Sequence, residues 1–223
     1  VNASLAERFR ISSDGSLSTP TLGTSNVRFG VNAGNSIASG GNYNVVVGDE
    51  AGTAITTGDY NTGLGFGAGT GTTTGGRNTF IGGESGYATT TASNNVGVGF
   101  ASLTANTTGV RNVAVGSTAL DANTTGGDNV SVGANALGAN TTASNNTGVG
   151  SASLMANTTG TSNTGLGNSA MIANTTGGQN TAVGHQALDA NTTASNNTAV
   201  GRSALGANTT GGQNTAVGQE AGK

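Results

Sequence analysis

Apolar and polar positions repeat every 17 residues along most of this chain. In each repeat an asparagine is followed, three residues later, by a large apolar residue and then by glycine. Alanine or serine follows three residues after the glycine. A fixed period of this length indicates one supersecondary unit stacked on copies of itself. The repeated glycines are Gly48, Gly65, Gly82, Gly99, Gly116, Gly133, Gly150, Gly167, Gly184, Gly201 and Gly218.

Columns of one residue type at one period predict an all-β fold, a parallel β-solenoid of 17-residue coils stacked about 4.8 Å apart. We expect two short strands and two turns in each coil. The asparagines would stack as a ladder of amides along the axis. The glycine would occupy a bend that needs positive φ or close backbone approach. The predicted structural ladder consists of Asn44, Asn61, Asn78, Asn95, Asn112, Asn129, Asn146, Asn163, Asn180, Asn197 and Asn214.

Two regions are predicted. In residues 1–26, Phe9, Ile11 and Leu17 alternate with polar residues around a turn signal at residues 13–16, which predicts an opening segment or hairpin. Residues 27–223 would form the solenoid domain of about twelve coils. Because the chain begins without Met and stops at Lys223, we expect it to be part of a longer protein.

Both faces of each predicted strand carry apolar residues. Ala182 and Val183, for example, are neighbours and therefore point to opposite faces. One face fills the lumen of the coil, and the other leaves an apolar stripe along the rod, a feature that usually marks a protein interface. We therefore expect a homo-oligomer, with three chains as the first choice.

The composition excludes several classes of partner. Charged residues make up 8% of the chain, and the net charge is -3 without a basic cluster, so nucleic acid is not expected as a partner. No apolar run approaches the length of a membrane span, so membrane insertion is not expected. The chain contains no Cys, which excludes disulfides and thiolate metal sites.

The chain contains few side chains of the types that carry out catalysis. His185 is the only histidine, and it lies in a variable column that is typical of exposed surface. A depolymerase would need paired acidic residues in a groove, whereas the acidic residues are sparse and unphased. We therefore expect no enzyme activity and no catalytic, cofactor-binding or metal site.

The motif Asn-Thr-Ala-Val-Gly-x-x-Ala-Leu-x-Ala-Asn-Thr-Thr-Gly is complete in residues 197–211 and nearly so in residues 180–193. It resembles the repeats of long bacteriophage tail fibres, and it is similar to the head repeats of trimeric autotransporter adhesins. Residues 6–15 also resemble a segment found in tail-fibre proteins. The resemblance implies a homotrimer with left-handed coils on the surface of a virion. Its partners would be a host cell-surface receptor, such as a glycan, and other fibre or baseplate proteins.

The predicted function is a structural segment of a trimeric phage tail fibre involved in host attachment. The alternative is a trimeric adhesin on a bacterial cell surface, and a further alternative is an ice-binding solenoid, because regular threonine arrays on flat solenoids order ice. The Asn-Thr-Thr column also matches the acceptor pattern for N-glycosylation. In a phage or bacterial protein we expect no such glycan. The residues predicted for surface recognition are Phe66, Phe100, Ile172, His185 and Arg202.

Overall fold

The computed structural model describes Arg10–Ile11, Leu17–Ser18 and residues 23–223. Strand β1 (Arg10–Ile11) pairs antiparallel with β2 (Leu17–Ser18). The remaining strands have three residues each: β3 (Val27–Phe29), β4 (Val45–Val47), β5 (Thr62–Leu64), β6 (Thr79–Ile81), β7 (Val96–Val98), β8 (Val113–Val115), β9 (Val130–Val132), β10 (Thr147–Val149), β11 (Thr164–Leu166), β12 (Thr181–Val183), β13 (Thr198–Val200) and β14 (Thr215–Val217).

Strands β3 to β14 form one 12-stranded parallel sheet in sequential order. Each strand pairs with the strand one repeat further along the chain, as Val113 pairs with Val130 and Val115 with Val132. The predicted all-β parallel β-solenoid of 17-residue coils is therefore confirmed, with about eleven coils between the first and the last strand.

The expectation of two strands in each coil is wrong, because the described coils have a single strand each. The opposite side of the coil consists of turns in which alternate residues are left-handed, such as Thr118 (φ 52°) and Leu120 (φ 54°). These turns still bond from coil to coil, and the Leu120 N–H donates to the Ala136 carbonyl at 3.0 Å. The period of 17 therefore persists without a second extended segment.

The middle residue of each strand points into the lumen, and the first and third residues point outward. Ala114 and Ala182 are fully buried, whereas their strand neighbours are partly exposed. Facing the middle residue across the lumen is a column of large side chains that starts at Leu103 and includes Leu137 and Met171, all fully buried. The large apolar column of the sequence is thus on the outside, and alanine and leucine fill the inside.

The earlier coils fill the lumen differently. In two of them the strand supplies the large side chain, Phe80 or Val46, and the facing positions are Gly86 and Gly52. The ring of Phe80 occupies the space into which a Cβ at Gly86 would project. Because interiors pack to a fixed density, a large residue on one side requires a small one on the other.

The predicted asparagine column is buried, and its bonds alternate between coils and within them. The Asn61 N–H donates to Oδ1 of Asn44 at 2.8 Å. The Nδ2 of Asn44 donates across its own coil to the Gly58 carbonyl at 2.9 Å. The same two bonds recur in successive coils, so each side chain joins its coil to the next one and also closes its own coil. The ladder is thus mainly from side chain to backbone.

The corner glycine that follows each strand is required on two grounds. The φ values of this column lie between 125° and 139°, in a region that L side chains rarely adopt. At Gly116, an added Cβ would also lie 2.6 Å from the carbonyl oxygen of Gly133. The invariance of this column within the chain follows from both the bend and the close approach of adjacent coils.

Direct amide-to-amide stacking occurs in a second asparagine column. The Nδ2 of Asn123 donates to Oδ1 of Asn106 at 2.8 Å, and Asn174 donates in the same way to Asn157 at 2.8 Å. The other hydrogen of each Nδ2 bonds the carbonyl three residues later, as in Asn106 to Gly109 at 3.0 Å. The sequence analysis assigned this column no structural role. In the predicted ladder, bonds between side-chain amides also occur, but only at some coils, where Asn78, Asn95, Asn129 and Asn180 donate to the preceding asparagine.

Candidate interaction surface

The outer face of the sheet is a continuous uncharged strip. It consists of the first and third residues of β3 to β14, which are valine, threonine, leucine, isoleucine or phenylalanine throughout. Leu64 is 46% exposed, Leu166 47% and Val217 70%. Arg28 is the only charged residue within β3 to β14, and it is at a middle position, where its Nε donates to the Ala33 carbonyl at 2.6 Å. Burial lowers the pKa of Arg28.

The leading flank of this strip is the column of residues immediately before each ladder asparagine, where the chain approaches its strand. Tyr43 and Tyr60 stack here, with ring centroids 5.0 Å apart and planes 11° from parallel. The guanidinium carbon of Arg77 is 5.9 Å from the centroid of the Tyr60 ring. Both tyrosines are about half exposed. Sequence reasoning missed this flank, although two tyrosines exactly one repeat apart, Tyr43 and Tyr60, were a visible signal.

The trailing flank comprises the two residues after each corner glycine, on the opposite side of the strip. Phe66 and Phe100 lie here and are exposed by 54% and 59%. Asp49 and Glu50 are also exposed, and an Asp49 oxygen accepts from the Val31 N–H at 3.0 Å. In the early coils the strip is thus bordered by aromatic and acidic residues on one side and by tyrosine and arginine on the other.

The predicted recognition residues do not all lie together. Phe66, Phe100, His185 and Arg202 share the trailing flank and are exposed, but they are spread along the rod. Ile172 is in a different column and is partly exposed. The column of Ile172 includes Met155, which is 38% exposed.

One threonine of each Asn-Thr-Thr sequence points outward. The hydroxyl of Thr107 donates to the Thr124 carbonyl of the next coil at 3.0 Å, whereas Thr108 is exposed. The preceding Asn106 is fully buried, so the nitrogen that an N-linked glycan would need is inaccessible in the folded rod. The exposed threonines of this column, with those at the same place in the earlier coils, are Thr57, Thr74, Thr91, Thr108, Thr125, Thr142, Thr159, Thr176, Thr193 and Thr210.

Ion pairs along the rod join adjacent coils on the same flank. On the leading flank, Arg111 Nε is 2.6 Å from Asp128 Oδ1, and this bond lowers the pKa of the Asp128 carboxyl. On the trailing flank, Arg202 bonds Glu220 at 2.9 Å. Asp121 is different: its partial burial raises the pKa of its carboxyl. Among the described residues, Arg77 and Glu84 form no ion pair within the chain.

The described residues contain no group of three His, Asp or Glu side chains suited to a metal ion. A small apolar cavity lies in the lumen at the coil of Gly63 and Gly69, between Val46 and Phe80. Thr72 lines it, and the Thr72 hydroxyl is buried without a hydrogen-bond partner. No helix within the described ranges is long and apolar enough to cross a membrane.

Comparison with known proteins adds no relative. No protein family matches the chain, and neither a curated protein nor a solved structure is significantly similar to it.

Proposed function

We propose that this chain is a structural segment of a homotrimeric, left-handed tail fibre of a bacteriophage, involved in host attachment. The observation that carries the proposal is the uncharged outer strip of the sheet, which runs through every strand from β3 to β14. The lumen is already filled by other columns, so the strip is not needed for the core of one chain. The resemblance of the repeat motif to tail-fibre repeats supports the biological setting and the handedness.

The dimensions of the strip suit self-association. Twelve strands at about 4.8 Å give a strip roughly 55 Å long. With a width of one three-residue strand and its flanks, its area is on the order of that buried by one partner in a stable interface. A second copy of the chain carries the same strip with the same period, so the two surfaces match along their whole length.

The oligomeric state tests the first part of the proposal. Sedimentation equilibrium of the purified chain should give three times the 21.2 kDa of one chain. Leu166→Glu places a charge on the strip and should dissociate the trimer without unfolding the coil. Thr159→Glu changes an exposed residue of the threonine column and is the matched control. A monodisperse monomer for the unmodified chain would contradict the proposal.

The biological setting needs a separate experiment. Antibodies raised against this chain, applied to particles and cells from a producing culture, should label thin fibres on virions in negative-stain images. Labelling confined to bacterial envelopes would favour the alternative, a trimeric adhesin with the same rod. Binding of the labelled chain to intact host cells, abolished by removal of their surface glycans, would identify a glycan as the receptor.

Ice binding is supported by one specific observation, the single file of exposed threonines from Thr57 to Thr210. Their spacing follows the coil rise of about 4.8 Å, which gives a regular array of hydroxyl and methyl groups. A measurement of thermal hysteresis on the purified chain decides this function, and Thr125→Lys combined with Thr142→Lys should abolish any hysteresis that this column produces.

A further inference from the structure

The outer strip alone does not fix how far along each other two chains lie. Its columns repeat in every coil, so a slip of one coil, about 4.8 Å, places valine where valine was before. Strands β12, β13 and β14 all have the sequence Thr-Ala-Val and are indistinguishable in this respect. Register is weakly specified wherever a pairing surface is this uniform. Residues outside the strip must therefore distinguish the correct alignment.

In a cyclic trimer the two flanks of the strip meet. Rotation about an axis parallel to the rods brings one patch of a chain against a different patch of its neighbour. With the strips facing the axis, the leading flank of one chain lies beside the trailing flank of the next. Residues of the same coil then lie at nearly the same height, so the pairs formed in register can be read from the coils.

The pairs in three consecutive early coils are chemically complementary. Tyr43 is in the coil of Glu50, and its phenol is a donor for a carboxylate. Tyr60 is in the coil of Phe66, and both rings are exposed by more than half. Aromatic pairs of this kind contribute beyond the area that they bury. The third coil supplies a pair of opposite charge.

That third pair is Arg77 on the leading flank and Glu84 on the trailing flank. Within the described part of one chain neither residue forms an ion pair, although Arg111 and Arg202 each pair with a carboxylate of the same chain. Slipping by one coil would place Arg77 opposite Phe66 or Phe100 and leave Glu84 without a cation. In a slipped alignment the tyrosines still meet an aromatic ring or a carboxylate, so the opposite charges of Arg77 and Glu84 are what favour the in-register alignment.

We infer that the coils of residues 43–84 set the register of the homotrimer, through contacts of Tyr43 with Glu50, Tyr60 with Phe66 and Arg77 with Glu84 of the adjacent chain. The inference rests on the proposed trimer. Later coils have polar residues such as Gln179 and His185 at these places, and the charges of Arg111 and Arg202 are already paired within one chain, so these coils discriminate weakly between alignments. The rod thus divides into a register-setting part and a uniform part that follows it.

A charge-reversal cycle tests the inference. Arg77→Glu alone places two acidic residues at each of three contacts, and Glu84→Arg alone places two cations there. Each variant should raise the concentration for half-dissociation of the trimer by about tenfold. The double variant Arg77→Glu with Glu84→Arg should restore it, because the pair is re-formed between chains. Circular dichroism of each variant should be unchanged, since neither residue is part of the core.

Cross-linking reads the register directly, because the natural chain has no Cys. Chains with Leu166→Cys and chains with Val183→Cys are mixed, unfolded, refolded together and oxidised. Peptide mapping should give only 166–166 and 183–183 links with natural flanks, and additional 166–183 links with Arg77→Glu. The double variant should again give only like-to-like links.

The outcomes separate the two proposals. A trimer whose dissociation and cross-links are the same in all flank variants would overturn the register inference and leave the trimer standing. A trimer weakened by each single variant but not restored by the double variant would also overturn it. A chain that stays monomeric at every concentration would overturn the trimer itself.

Discussion

The coils before residue 95 and the coils after it enclose the same lumen with opposite arrangements of side chains. In two of the earlier coils the strand contributes the large residue, Phe80 or Val46, and glycine faces it, whereas the coil between them has Gly63 opposite Gly69 and contains the small cavity. In the later coils the strand contributes glycine, alanine or serine, and leucine or methionine faces it. The backbone hardly differs: Gly86 has φ 63° and Leu103 has φ 54°. One coil geometry therefore accepts two solutions of the same packing problem.

The second interior column differs in the same way. Ile37, Ile55, Thr72 and Thr89 occupy it in the earlier coils, and the stacked asparagines from Asn106 onward occupy it in the later ones. The earlier part is thus held by apolar contact, and the later part adds a chain of hydrogen bonds. All eight aromatic residues lie at or before Phe100, so the surface changes at the same place as the interior.

The largest effect should come from mixing the two packing solutions in one coil. Gly86→Leu places the later type of residue opposite Phe80, where the ring already fills the space. We expect a loss of about 3 kcal/mol or more, at the upper end for overpacking, measured by urea denaturation. Adding Phe80→Ala should recover most of it, since Ala114 with Leu120 is the native pair two coils later. Failure of that rescue would show that the coils are not interchangeable.

A smaller effect should follow from interrupting the stacked amides. Asn157→Ala removes the acceptor of the Asn174 amide at 2.8 Å and the donor to Asn140 at 3.1 Å. Leaving buried polar groups without partners should cost about 2 kcal/mol. The control is Thr159→Ala at an exposed position, which thermal unfolding should show to be nearly neutral. An Asn157→Ala rod as stable as its control would mean that the amide ladder contributes little.

Extending the amide column backwards should stabilise the rod. Thr89 is buried, and its hydroxyl has no partner. Thr89→Asn would supply an acceptor for Asn106 and a donor for the Ala92 carbonyl, which repeats the bonds from Asn123 to Asn106 and from Asn123 to the Gly126 carbonyl. We expect a gain of about 1 kcal/mol in the free energy of unfolding. A loss instead of a gain would indicate that the coil at Thr89 differs in shape from those after it.

The smallest effect should come from removing the charge of Asp121, which lies in the later coils. Burial raises the pKa of the Asp121 carboxyl, so the folded state takes up a proton more readily than the unfolded state. The ionised form therefore costs stability at neutral pH, and that cost disappears as the pH falls through the folded pKa. Asp121→Asn should raise stability at pH 7 by less than about 0.5 kcal/mol. Unfolding curves at acidic pH should show no difference from the natural chain.

Sequence reasoning predicted the parts of the fold that depend on columns. Glycines such as Gly116 and the ladder at Asn44 and Asn61 were found because backbone geometry and stacking force one residue type in every coil. It did not identify which apolar column faces the lumen. Ala182 and Val183 point to opposite faces of the strand, and the sequence alone allows either face to be the inner one. It predicted a second strand from the length of the repeat, whereas the chain turns there through residues of positive φ such as Leu120 (φ 54°), a conformation that leucine rarely adopts.

The candidate surface was harder to predict than the fold. Phe66 and Phe100 stood out as large residues in a variable column, and the structure places both on the trailing flank. Tyr43, Tyr60 and Arg77 were missed because their importance lies in stacking along the axis and in their position relative to the other flank. The relation between the two flanks can be recognised only when the structure shows that each strand runs from one flank to the other.

Because every coil is bonded only to the coils before and after it, tension along the rod loads all of these junctions in series. A terminal coil has one neighbour instead of two, so it should detach before the others. Each detached coil would release 17 residues of chain, which corresponds to roughly 55 Å of contour length. The rod would then lengthen coil by coil under load while the rest stays folded, and this would make it an extensible tether.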